Sequence, residues 1–331
     1  MKPQAFRPLI QAPDCLVIDW AVGQAVPAQL SPFLKTGLAA AIGNFDGVHL
    51  GHRTLISAAV NHGHGLVPAV ITFHPHPRRF FRGDLPGFAL ADEQDKMALL
   101  SETGVKIIIR LAFDDAMRQT TAMDFISTLL PFLGVKAIYA GEDFAFGNAR
   151  GGGMDMMQEQ GQYYGISAHQ IRLEAQSGEP ISSSRIRQAI AEADLESAAK
   201  MLGRPYLLSG VVTHGDKRGR TIGFPTANVL LGDYLIPPLG VYAVAATFPD
   251  HPERGAIAGV ANIGIRPTVA GKAVRLEANL FDVDLDLYDQ RINVFCLDFI
   301  RAEQKFDNLD ELRHRIARDV ESARAFHAKQ N

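Results

Sequence analysis

Leu38-Ala39-Ala40-Ala41-Ile42-Gly43-Asn44-Phe45-Asp46-Gly47-Val48-His49-Leu50-Gly51-His52 is the stretch on which the reading of this chain turns. Its first five residues form a short, uninterrupted apolar run bounded by Gly37 and Gly43, the pattern of a buried strand. An amphipathic pattern resumes from about Gly51 through Thr54, Leu55, Ala58 and Val60. Strand, glycine turn and helix start together aim unpaired backbone N–H groups and the positive end of a helix dipole at an anion. His49 and His52 lie three residues apart and fall on one side of such a turn. The stretch reads as a phosphate site. Gly43, Asn44 and Phe45 line the turn, Gly51 lets a phosphate approach the backbone, and two imidazoles supply donors at the reacting phosphorus.

Apolar runs recur at Cys15–Ile18, Pro68–Phe73, Val105–Leu111 and Val135–Ala140, separated by helical patterns over 51–61, 92–102 and 115–133. Such alternation predicts an α/β domain: a mostly parallel sheet, helices on both faces, and ligands at the carboxyl ends of the strands. A glycine-rich loop, 141–153, follows. Residues 182–202 read as one helix with Ile186, Ile190, Leu195, Ala198, Ala199 and Leu202 on a single stripe. Gly203-Arg204-Pro205 stops it, which sets the domains at 14–203 and 204–326. Beyond Tyr206 come strand-like runs at Leu207–Thr213, Val241–Phe248, Ala256–Ile263, Val274–Phe281 and Ile292–Ile300. With no helix between them, they predict a compact antiparallel domain, a small barrel or sandwich. Asn308 with Glu311 makes a capping-box signature for a terminal helix striped by Leu309, Leu312, Ile316, Val320 and Ala323.

Bulk properties narrow the function. With 331 residues, 47% hydrophobic and 21% charged, the composition is that of a globular protein with room for two cores. A formal net charge of -3 without any polybasic run argues against broad electrostatic binding to nucleic acid or an anionic membrane. No apolar segment is long enough to span a bilayer, and the N-terminus lacks a signal-peptide core. Cys15 and Cys296 form neither a CxxC pair nor a disulfide framework, so a reducing cytoplasm is the expected setting. Nothing in the sequence speaks to oligomeric state.

Six of the eleven histidines fall between His49 and His76, in HLGH, HGH and HPH. A zinc site is one reading. Against it, no cysteine or acidic residue stands at ligand spacing among them, and Pro75 and Pro77 hold His74-Pro75-His76 extended. Nucleotidyl transfer is a more specific use of the HxGH spacing: a phosphate displaces pyrophosphate from a nucleotide's α-phosphorus, and the site must position and neutralise charge. In Ile181-Ser182-Ser183-Ser184-Arg185-Ile186-Arg187, Ser183 and Ser184 are first of all N-caps, while Arg185 and Arg187 add cationic donors near that helix end. In Gly141-Glu142-Asp143-Phe144-Ala145-Phe146-Gly147, Phe144 and Phe146 either pack or stack on a planar ring.

In the second half, Gly215, Gly219 and Gly223 with Lys217, Arg218 and Arg220 make either a basic hairpin loop or a wrap for phosphates. Thr226 and Asn228, two apart, share one face of an extended chain, and their oxygens are hard ligands suited to magnesium on phosphates. Glu277 shares a face with Arg275 and Asn279; by pattern alone it is a solvated strand carboxylate.

GNFDGVHLGH, TFHPHP, GEDFAFG and ISSSRIR, in this order, resemble the adenylyltransferase module of bacterial bifunctional riboflavin kinase/FAD synthetases. GDKRGRTIGFPTAN at 215–228, GVYAV at 240–244, GVANIGIRPT at 259–268 and RAEQKF at 301–306 resemble riboflavin kinases. The likeness runs from about residue 14 to 325. It implies a Rossmann-like nucleotidyltransferase domain, then an antiparallel β-barrel kinase domain with a terminal helix. The barrel would make FMN from riboflavin and Mg-ATP, releasing ADP; the first domain would make FAD and pyrophosphate from FMN and ATP. By the same likeness His49, His52 and Arg187 are catalytic, with Ser183 and Ser184 at the nucleotide and Asp143, Phe144 and Phe146 at the flavin. Thr226 and Asn228 bind Mg-ATP, Glu277 is the general base, and Arg301, Glu303 and Phe306 bind riboflavin. A head acting on another phosphate compound and a flavin store without chemistry are the alternatives. The chain departs from the family twice: Asn279 stands where histidine is usual, and Asp289 where glycine is usual, tolerating a left-handed turn.

Overall fold

Strands covered on both faces carry near-continuous apolar runs, and the first half of the chain follows that rule. The computed structural model describes residues 6–83, 87–172, 175–176, 178–214, 224–268 and 271–330. In it β1 (Leu16–Trp20), β2 (Leu38–Ile42), β3 (Val67–His74), β4 (Ile107–Ala112), β5 (Val135–Gly141) and β6 (Ser167–Ile171) form a parallel sheet ordered β1-β4-β3-β2-β5-β6. Every residue of β2 is buried, and Ile42, Ile71, Ile109 and Ile138 belong to one core with Phe125, Leu130 and Met157. The chain moves from β2 outward to β3 and β4, then returns to lay β5 on the other side of β2. That reversal opens a crevice at the carboxyl ends of β2 and β5, where the loops beginning at Gly43 and Glu142 both emerge.

Three helical expectations are revised. Residues 115–133 are not one helix: Asp115–Gln119 ends, and a new start at Ala122 is capped by Thr121 Oγ1, which accepts from Asp124 N at 3.0 Å. A π-helical turn, Phe125–Leu129, then carries the chain on. Residues 182–202 form two helices, Ser183–Ala191 and Leu195–Leu202, parted at Ala193 (φ 58), with Asp194 capping the second at 3.0 Å to Ser197 N. The terminal helix, Leu309–Gln330, has the expected cap, Asn308 Oδ1 accepting from Glu311 N at 2.9 Å; of the expected stripe Ala323 is buried, but Leu309 is 67% exposed, and the charged Asp319 is buried as well.

A short hairpin, β7 (Ala175–Gln176) and β8 (Glu179–Pro180), precedes that pair of helices. The second half is a closed antiparallel barrel of β9 (Tyr206–Thr213), β10 (Ala227–Leu230), β11 (Gly240–Thr247), β12 (Ile257–Thr268), β13 (Gly271–Leu280) and β14 (Arg291–Ala302), ordered β10-β13-β12-β11-β14-β9. Ala227, Val229, Leu276 and Ala278 are buried, whereas Asn228, Glu277 and Asn279 on the opposite face are half-exposed. The terminal helix covers Val241, Ala243, Val260 and Phe281 with Ala323. By packing, residues 1–10, 86–95 and 183–331 make one compact unit, and 11–85 with 96–182 make the other. Within the first, Asp95 is held at the barrel by Ser209 Oγ at 2.8 Å, Arg291 Nη2 at 2.9 Å and the Tyr234 hydroxyl. Cys15 and Cys296 are both buried and unpaired; burial pushes their thiols up to about 11 and about 12.

Candidate functional site

The turn after β2 uses backbone that side chains rarely adopt. Phe45 (φ 50) and the β-branched Val48 (φ 42) are left-handed and fully buried, a strain sustained only by tight surroundings. Val48 N donates to the Phe45 carbonyl at 3.2 Å, and Thr72 Oγ1 donates to the Asn44 carbonyl at 3.2 Å, tying the turn to β3. The helix Leu50–Val60 begins here with His49 as its N-cap, its Nδ1 accepting from His52 N at 3.3 Å. The two imidazoles stack with centroids 3.5 Å apart and planes 17° apart, and Phe45 stands edge-on to His52 at 5.2 Å. A Cβ on Gly51 would lie 3.3 Å from His49 Nδ1 and 3.5 Å from the Ile181 carbonyl. Glycine there leaves space for the ring stack and for the start of the ISSSRIR segment. Part of His52 reaches solvent, yet its Nδ1 is buried and has no hydrogen-bond partner among the described residues. Burial, reinforced by His49, holds the His52 pKa well below the usual imidazole range. His52 is therefore a neutral N–H donor at physiological pH.

The other histidine clusters have local work. His76 caps the helix Pro77–Arg82 by accepting from Arg78 N at 3.1 Å, and His62 Nδ1 lies 2.5 Å from the Tyr139 hydroxyl. Among the described residues, no group of three or more His, Cys, Asp or Glu side chains is placed to hold a metal ion.

On the barrel, strand pairing sets Thr213, Asn228, Glu277 and Asn262 in one row across four strands. Asn228 pairs with Thr213 and with Glu277, and Glu277 pairs with Asn262. Directly opposed residues project to the same side with Cβ atoms about 5 Å apart. Asn228 Nδ2 points to the Thr226 carbonyl at 3.5 Å, which turns its Oδ1 away from that carbonyl. Two residues along β12 from Asn262, a Cβ on Gly264 would overlap Oε1 of Glu303 and lie 3.1 Å from Asn262 Nδ2. The Glu303 carboxylate thus fills the space that glycine leaves. Gly215, Lys217, Arg218, Gly219, Arg220 and Gly223 lie outside the described residues.

A family model described as FAD synthetase matches residues 33–185, and one described as riboflavin kinase matches residues 202–327. The bifunctional riboflavin kinase/FMN adenylyltransferase of Escherichia coli (strain K12) is 42% identical over 301 residues, 90% of this chain and 95% of that protein. The chain belongs to the bifunctional riboflavin kinase/FMN adenylyltransferase family. Family members from Haemophilus influenzae (40% identical, 88% of this chain and 94% of that one) and Bacillus subtilis strain 168 (38%, 86% and 90%) agree. The resemblance read from HxGH and GRTIGFPTAN is borne out, as is the order of a parallel-sheet domain before a barrel. A crystal structure described as a macrolide-efflux protein from Streptococcus pneumoniae shares the fold, with TM-score 0.79 and 29% identity over 93% of this chain and 99% of that one. Among the described residues here, no helix is long and apolar enough to cross a membrane.

Other residues that the riboflavin kinase/FMN adenylyltransferase resemblance pointed to have definite places. Arg301 grips Asp319 through Nε at 2.9 Å and Nη2 at 2.7 Å and lies 5.8 Å from the Phe306 ring, so it orients that ring from a fixed position. Arg187 Nε donates to the Phe88 carbonyl at 3.0 Å, its guanidinium 4.0 Å over the Phe88 ring. Ser183 and Ser184 open their helix. Phe146 is buried against Phe125 and stacked on half-buried Phe144 at 5.6 Å, while Asp143 is exposed. Asp289 adopts φ 62, the left-handed turn its substitution for glycine requires. Sequence reasoning missed one feature: Phe73 near the end of β3 and Phe80, Phe81 and Phe113 beyond the ends of β3 and β4 make an edge-to-face cluster, with Phe81 64% exposed. The signal was present in His76-Pro77-Arg78-Arg79-Phe80-Phe81, two adjacent aromatics in the short helix that follows β3.

Proposed function

We propose that this chain makes FAD in two steps on two heads, riboflavin phosphorylation on domain 204–326 and FMN adenylylation on domain 14–203. The observation that carries the reading is the register of β10 on β13, which seats Glu277 beside Asn228. A carboxylate next to a pair of hard oxygen donors suits phosphoryl transfer to an alcohol. Thr226 and Asn228 fit magnesium by donor chemistry, a hydroxyl and an amide oxygen sharing one face; when bound, the ion supplies charge neutralisation at the nucleotide phosphates. Glu277 accepts the proton of the ribityl 5′-hydroxyl as its oxygen bonds to the γ-phosphorus of ATP. The bond from that phosphorus to the bridging oxygen breaks, and FMN and ADP leave. Glu303 and Phe306 receive riboflavin, with Arg301 supporting Phe306.

On the other head, an oxygen of the FMN phosphate bonds to the α-phosphorus of ATP and pyrophosphate departs. Neutral His52 and its stacked partner His49 offer donors beside a helix N-terminus, where negative charge gathers in the transition state. Gly43, Asn44, Phe45, Gly51, Ser183, Ser184 and Arg187 serve the nucleotide. Asp143, Phe144, Phe146 and the exposed Phe81 cluster are the candidates for the flavin ring. The two unpaired thiols support a cytoplasmic setting. Incubating the protein with riboflavin and Mg-ATP and separating the flavins chromatographically tests the reading: FMN should form first and FAD follow. A wild-type protein that consumes no riboflavin sinks it.

A further inference from the structure

The strand that carries Asn228 is short, with Thr226 just before its first residue, and its ladder with β13 stops at Ala227 opposite Ala278. Pro225 cannot extend that ladder, because proline has no N–H to donate. Its carbonyl still needs a partner, and a side chain provides it: Asn279 Nδ2 donates to the Pro225 oxygen at 2.7 Å. Asn279 follows by one position the last residue of β13 that pairs with β10, is itself paired with Val260 of β12, and shares the Glu277 face. Thr226 is thereby held on both sides, by main-chain pairing at Ala227 and by a side-chain amide at Pro225.

We propose that Asn279 is a positioning residue of the phosphoryl-transfer site, fixing the Pro225–Asn228 segment so that Thr226 and Asn228 meet a metal-bound nucleoside triphosphate together. The inference rests on the kinase reading above and adds a residue that touches no substrate. Its chemistry also accounts for the departure from the family. Histidine Nδ1 is as many bonds from Cα as asparagine Nδ2, so either residue can present an N–H to this carbonyl. Aspartate at this position would set an acceptor against an acceptor.

The test is a series at one position in the full chain, Asn279→Ala, Asn279→Asp and Asn279→His. Initial rates of FMN formation are measured against Mg-ATP at saturating riboflavin, then against riboflavin at saturating Mg-ATP. Asn279→Ala should raise the KM for Mg-ATP roughly 3- to 10-fold, the weight of one hydrogen bond, with the riboflavin KM unchanged. Asn279→Asp should exceed that loss, and Asn279→His should restore the Mg-ATP KM toward wild type. FMN adenylylation by the same samples should hold constant. An unchanged Mg-ATP KM in Asn279→Ala, an equal rise in both KM values, or a histidine variant as impaired as the alanine one overturns the positioning role alone. A wild type that makes no FMN overturns the kinase reading and this inference with it.

Discussion

Gly264→Ala should separate flavin binding from folding in the barrel. The added Cβ would overlap Oε1 of Glu303 and lie 3.4 Å from its Cδ, and the carboxylate is the far end of a flexible, exposed side chain. It can therefore swing away for about 0.5–1.5 kcal/mol of rotamer cost. Replacing a strand glycine restricts the unfolded chain and returns about 0.4–1 kcal/mol. The two nearly cancel, so the thermal midpoint should stay within about 4 °C of wild type. With Glu303 as the proposed riboflavin ligand, displacing its carboxylate should remove charge-assisted hydrogen bonds worth about 1.5–3 kcal/mol each. That corresponds to roughly 10- to 150-fold in kcat/KM for riboflavin. Kinase rates across riboflavin concentration, FMN adenylylation as internal control and a melting curve make the assay. Undiminished riboflavin kcat/KM would refute the role of Glu303, and a collapse of the melting midpoint would refute the claim that the side chain yields freely.

His52→Ala should lower FMN-to-FAD conversion by about 10²–10³ while riboflavin phosphorylation persists, and equal loss of both activities would dismiss the two-site arrangement. Glu277→Gln should do the reverse, by roughly 10²–10⁴ in FMN formation; a variant phosphorylating riboflavin at the wild-type rate removes Glu277 as base. His52 also makes stability depend on pH. Its folded pKa lies well below the ordinary imidazole value of about 6.5, so below that pH the unfolded chain takes up a proton that the folded one refuses. Stability should fall as pH drops from about 6.5, by up to about 1.4 kcal/mol per unit from this group. Denaturant midpoints of wild type and His52→Gln at pH 7.5 and 5.5 measure it, and parallel losses in both proteins would contradict the assignment.

What the sequence disclosed tracks how evenly each element is buried. β2 to β5 were legible because burial on both faces leaves near-continuous apolar runs, whereas the edge strand Ser167–Ile171 has mixed exposure and no apolar run. The break between the helices at 183–191 and 195–202 was written in the spacing of five from Ile190 to Leu195, which no single helical stripe permits, and in Asp194. At the candidate sites, HxGH located the donors but could not show that they stack, or that burial keeps His52 neutral. Alternation told which face Glu277 occupies, not which neighbour stands opposite. Asn228 became that neighbour only through barrel register. Asn279 was noticed as a departure and its partner was not, since a contact with Pro225 across strands leaves no local pattern.

The two protonated thiols have a practical consequence for watching this protein at work. A thiol with a pKa near 11 or 12 is almost wholly unreactive toward maleimides at neutral pH, and burial at Cys15 and Cys296 denies reagents access as well. A single cysteine placed on the surface near either head would therefore take up a fluorophore alone, with no native residue removed. Separate reporters beside the HxGH turn and beside β13 would then record, in real time, which head fills first when riboflavin is added.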